Sequence, residues 1–79
     1  MRNYSSDERT FARQFGLTPA GLRTLMRGAS NEGYRVTGAG MGHEAEGARR
    51  RLADQGLIAA EALTPAGIDL AARIRAAGF

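Results

Sequence analysis

At 79 residues, with eleven arginines, no lysine and no cysteine, the chain carries a formal net charge of +3. These counts exclude a disulfide framework, a thiolate metal site, a Schiff-base lysine and a phosphate-loop lysine. They leave one small domain, burying only roughly 60% of its unfolded surface, with a modest basic excess that suits nucleic acid or an acidic protein surface.

Residues 1–4 read as a loose terminus. Ser5-Ser6-Asp7-Glu8 reads as a capping box, in which Ser5 accepts from the Glu8 amide while the Glu8 carboxylate reaches back. Phe11, Ala12 and Phe15 then share a helical face, and Gly16 ends the first helix as a left-handed residue. Thr18 caps a second helix, with Pro19 at its first position, where no amide is needed. Leu22, Leu25, Met26 and Ala29 repeat at amphipathic-helix spacing, with Arg23 and Arg27 opposite them. Gly28 and Ser30 to Gly33 read as its end.

Tyr34 to Thr37 is rich in strand formers and reads as a short strand. Gly38 to Gly42 reads as a loop or a single helical turn. A third helix is expected from about His43 to Gln55, with Ala45, Ala48 and Leu52 inward and Gly56 as its cap. Leu57 to Ala59 and Ala62 to Thr64 read as a hairpin turning at Ala60-Glu61. Thr64-Pro65 starts a last helix, with Leu70, Ala71, Ile74 and Ala77 on one face, Ile68 beside it, and Asp69 four residues before Arg73. Phe11, Phe15, Leu22, Leu25, Met26, Val36, Leu52, Leu57, Ile58, Leu63, Ile68, Leu70 and Ile74 supply the expected core.

The expected fold is mainly α with a small β-hairpin, a single domain over 1–79 in the order helix-helix-strand-loop-helix-hairpin-helix. The segment Leu-Thr-Pro-Ala-Gly occurs at 17–21 and again at 63–67. The elements between the copies differ, so the two are read as the same helix-start grammar used twice and not as a solenoid repeat.

Glu46 to Ile74 resembles the second half of a bacterial or phage winged helix-turn-helix domain, and Leu17 to Met26 resembles its first core helix. The resemblance rests on Gly56-Leu57-Ile58 leading out of a basic helix and on Leu63-Thr64-Pro65-Ala66-Gly67 closing the wing. It implies a winged-helix-like fold in which the helix bearing Arg49, Arg50 and Arg51 reads DNA. Two features depart from that pattern. Gly38 to Gly42 leaves room for only one turn of the usual intermediate helix, and the wing from Ala59 to Ala62 holds no basic residue and one Glu.

Arg50 is expected outermost on the third helix, with His43, Gly47 and Asp54 on the same side. There it can meet phosphates or guanine edges, or pair with Glu46 and Asp54 in helical range. Arg49 is expected nearer the core edge. Together with Arg23, Arg27 and Arg35, the residues His43, Arg49, Arg50 and Arg51 make up the candidate nucleic-acid or partner-binding set. The glycines at 38, 40 and 42 do not match a dinucleotide fingerprint. The single histidine lacks partners for a zinc site or a catalytic triad, so no cofactor, metal or enzymatic activity is expected. No apolar run reaches the roughly 18 residues of a membrane helix, and residues 1–11 contain no apolar leader. The expected protein is a cytoplasmic monomer or homodimer: a small DNA-binding regulator, or alternatively a non-enzymatic phage-type inhibitor of the anti-CRISPR kind docking on a nucleoprotein.

Overall fold

The computed structural model describes residues 6–36 and 44–79. Among these the chain forms α1 (Ser6–Gln14), α2 (Pro19–Ser30), α3 (Glu44–Asp54), β1 (Ile58–Ala59), β2 (Ala62–Leu63) and α4 (Pro65–Ala76). A 3-10 turn at Glu32–Tyr34 follows α2. The architecture is mainly helical with one small antiparallel hairpin, as the sequence leads one to expect. No helix among the described residues is long and apolar enough to cross a membrane.

Local chemistry sets the helix boundaries. Thr18 and Thr64 are extended, and each Oγ1 accepts from the third amide of its helix: Gly21 at 3.1 Å and Gly67 at 3.2 Å. This satisfies one of the orphan donors of a helix start. Gly16, Gly56 and Gly78 close their helices at φ of 73°, 75° and 110°. The residue after each glycine donates back across the last turn, from Leu17 to Ala12, from Leu57 to Leu52 and from Phe79 to Ile74. These are Schellman closures, and they fold an apolar residue onto its own helix. Leu17 and Leu57 are buried as a result.

The second helix is the hub, with α1, α3, α4 and β2 all packed on it and α3 most extensively. Its Leu22 and Leu25 are fully buried, in one cluster with Val36, Leu52 and Ile74 from the surrounding elements. Phe11, Phe15 and Ile68 pack against the core from its rim. Phe11 meets Phe15 edge-on at 5.4 Å and stacks on Phe79 at 6.1 Å, geometries that favour aromatic pairs.

Several sequence expectations need correction. Tyr34 is not in a strand: it lies in the 3-10 turn at φ 56°, after Gly33 at φ 68°. Two successive left-handed residues turn the chain where extended backbone was expected. Among the described residues of this segment Arg35 alone pairs, as an isolated antiparallel bridge to Ala62, while Val36 N–H donates to Glu61 O at 2.9 Å. Gly28 does not end α2. It is buried within the helix, where a Cβ would come 2.5 Å from Val36 Cγ1. Its role is close approach, not termination. Ala77 is exposed, because α4 has ended at Ala76. The Ser5 half of the capping box, the loop from Gly38 to Gly42, Thr37, His43 and the side chain of Ala45 all lie outside what is described.

The hairpin is minimal. Ile58 pairs with Leu63 and Ala59 with Ala62, leaving Ala60 and Glu61 as the turn at φ 51° and 69°. Both turn residues are left-handed, the backbone of a type I′ turn, which normally favours Asn and Gly. With the Arg35 bridge, the order across the sheet is Arg35, β2, β1. Ile58 and Leu63 face the core, while Ala59 and Arg35 face outward.

Candidate nucleic-acid interface

The third helix presents its apolar stripe, Ala48 and Leu52, to α2. Helical residues step by about 100° around the axis, so three consecutive arginines cannot share a face. Arg49 and Arg51 flank the helix on opposite sides, roughly 160° apart, and Arg50 projects directly away from the core. The sequence run therefore divides into three different environments.

Arg49 is half-buried, and its Nη1 donates to Val36 O over a long 3.4 Å. Its stem packs at the core edge, as expected, but its head is directed to the backbone beside the bridging strand residue. Arg49 is thereby placed as a strut between α3 and the sheet, and it is withdrawn from the outward-facing set. Arg50 and Arg51 are exposed, and neither has an ion pair or hydrogen bond to any described residue. Of the two alternatives for Arg50, pairing with Glu46 and Asp54 is not formed, although both carboxylates stand exposed on the same helix. Arg51 borders a shallow groove with Thr18, Gly21 and Gln55. Gln55 Nε2 donates to Gly16 O at 2.9 Å, tying the end of α3 to the end of α1.

The arginines outside α3 behave differently from one another. Arg23 forms a bidentate fork with Glu8, Nε to Oε2 at 2.7 Å and Nη2 to Oε1 at 2.8 Å. This fork clamps α1 to α2, with the Glu8 side chain 18% exposed, so Arg23 is committed to the fold. Arg27 is exposed on α2 and is itself engaged. Arg35 is exposed on the outer face of the sheet, in one row with Ala62 and Ala59. His43 lies outside the described residues.

The geometry thus brings Arg50 forward on α3, keeps Arg51 and Arg35 accessible, and ties Arg49 and Arg23 into the scaffold. Comparison with protein-family models, with curated proteins and with solved structures gave no match. No cluster of His, Cys, Asp and Glu able to hold a metal ion exists among the described residues.

The sequence missed two surface features. Tyr34 is 41% exposed, and the Asn31-Glu32-Gly33 turn before it was the available signal. The Arg23–Glu8 fork spans 15 positions, a separation at which no local pattern operates.

Proposed function

We propose that this chain is a small winged-helix-type DNA-binding protein, a phage or bacterial regulator, with α3 as the helix that meets the duplex. The observation that carries the reading is Arg50, exposed at the crest of α3 and unpaired with any described residue. The sheet is compatible with it: the residue preceding the glycine segment, Arg35, bridges the returning hairpin strand, so a first strand position and the hairpin that follows α3 share one sheet. Arg51 and Arg35 add accessible cations on either side. Backbone contacts of this kind position the protein, while the crest residue reaches base edges.

One observation favours a second reading. The hairpin tip is Ala60-Glu61 and carries no cation, and Glu46 and Asp54 stand on α3 beside Arg50. Carboxylates there repel phosphate and attract basic protein surface. A non-enzymatic inhibitor of the anti-CRISPR kind, docking on a nucleic-acid-handling complex through the same helix, fits these features.

Fluorescence anisotropy with labelled duplexes at low and moderate salt separates the readings. Duplex binding that weakens steeply with salt and is lost in Arg50→Glu/Arg51→Glu, with helicity unchanged by circular dichroism, is the expected result. No binding at micromolar protein in about 50 mM salt would sink the DNA reading. Unchanged binding by the double variant would place the interface elsewhere.

A further inference from the structure

The outer face of α3 holds two features that packing among the described residues does not explain. The first is Glu46, exposed one turn before Arg50 on the same helical face. Neither side chain has an ion pair or hydrogen bond to any described residue, the other included. The second is Gly47, exposed in the interior of α3, with no described atom within 4 Å of where a Cβ would stand. Glycine in a helix interior is destabilising relative to alanine. Gly28 and Gly67 are required by close neighbours in this chain, and Gly47 is not. Nor does it hold left-handed backbone. Asp54, a turn beyond Arg50, is placed differently. It borders the groove at Leu17 and Thr18, beside the Gln55 that is tied to Gly16 O. Glu46 and Arg50, with Gly47 between them, thus form the forward part of the crest.

Arg50 offers only donors and Glu46 only acceptors. In a major groove, guanine shows the acceptors O6 and N7, which a guanidinium matches, and cytosine shows the N4 amino donor, which a carboxylate matches. Side chains three or four residues apart on a helix in the groove meet successive base pairs. A guanidinium and a carboxylate one turn apart therefore suit a guanine and a cytosine in neighbouring pairs. A carboxylate set against any base edge lacking that amino group is desolvated and unpaired, so it discriminates by penalty as well as by contact. A bare glycine beside the two lets the helix backbone come down toward the groove floor.

Resting on the DNA reading of α3, we infer that Glu46 selects a cytosine next to the guanine taken by Arg50, and that Gly47 provides the close approach this needs. The test is selection by the intact protein from a library of randomised duplexes in about 50 mM salt, followed by anisotropy on the enriched duplex. The wild-type chain should enrich neighbouring cytosine and guanine. Glu46→Gln should exchange that cytosine for adenine, whose N6 and N7 a glutamine amide matches, and keep the guanine. Replacing the cytosine should weaken wild-type binding about tenfold and leave Glu46→Ala binding unchanged. Gly47→Gln should lose affinity for the enriched duplex while its helicity and thermal midpoint rise. Duplex binding without sequence preference overturns this inference and leaves the DNA reading standing. So does an enriched site without that cytosine, or a Gly47→Gln variant with undiminished affinity. A Glu46→Gln variant that binds all duplexes more tightly and alike overturns it too, because the carboxylate is then merely repulsive. Absence of duplex binding altogether removes the inference and the DNA reading together.

Discussion

Gly67 occupies a place where a methyl group does not fit. A Cβ there would be driven into the carbonyl oxygen of Leu57, and backbone cannot swing aside as a side-chain tip can. Gly67→Ala should therefore lower stability by about 2 kcal/mol despite the better helix propensity of alanine. Gly47 is the matched control. It is helical and exposed, with nothing near its missing Cβ, so Gly47→Ala should gain about 0.5–1 kcal/mol. Urea melts of both variants check the pair, and shifts of the same sign would refute the steric argument. The two cap threonines differ in a related way. Thr64 Oγ1 accepts from Gly67 and also donates to Gly56 O at 2.7 Å. Among the described residues, Thr18 Oγ1 makes the Gly21 contact alone. Thr64→Ala should cost about 2 kcal/mol and Thr18→Ala about 1 kcal/mol, measured by the same melts. The repeated Leu-Thr-Pro-Ala-Gly segment is thus one capping device, with a further attachment at its second copy.

Among the elements, the hairpin is the least settled locally. Ala60 and Glu61 both hold left-handed backbone that alanine and glutamate disfavour. The double substitution Ala60→Asn with Glu61→Gly should raise stability by about 1 kcal/mol, seen as a higher thermal midpoint. A lower midpoint would mean that the Glu61 side chain contributes more than its backbone strain removes. Element starts and stops are legible in the sequence because they rest on contacts three to five residues apart: Thr18 to Gly21, Thr64 to Gly67, Leu57 to Leu52. The departure at Tyr34 to Thr37 has a related cause. Strand propensity is a property of single residues, whereas the path here is decided by Gly33 turning left-handed. Gly28 reads as a terminator because glycine ends many helices. Its actual reason, the approach of Val36, comes from a residue beyond the helix.

For the molecule as a whole, the candidate site is half legible in the sequence. Helical periodicity puts Arg50 outermost and Arg49 at the core edge, and the structure places them so. That Arg49 is directed at Val36 O, and that Arg23 is locked to Glu8, follow from packing among separate elements. The accessible cations, Arg50, Arg51 and Arg35, set a quantitative expectation for the DNA reading. With Arg50 at base edges, the two phosphate contacts of Arg51 and Arg35 imply a slope of about −2 in log affinity against log salt. Arg35→Ala should reduce that slope by about one unit and weaken all duplexes alike, measured in the same anisotropy series. A slope near zero would instead favour the protein-docking reading.

By itself the sequence determined where helices begin and end, which face of each is apolar, and that the chemistry on offer is arginine and carboxylate without thiol or lysine. These are properties of short spans, governed by backbone capping and the pitch of the helix. Tertiary structure decided which arginines remain available, why Gly28 and Gly67 must lack a side chain, and that Tyr34 stands over a groove beside α4. These depend on which elements meet in space, and such meetings are made by the shared burial of residues far apart in the chain.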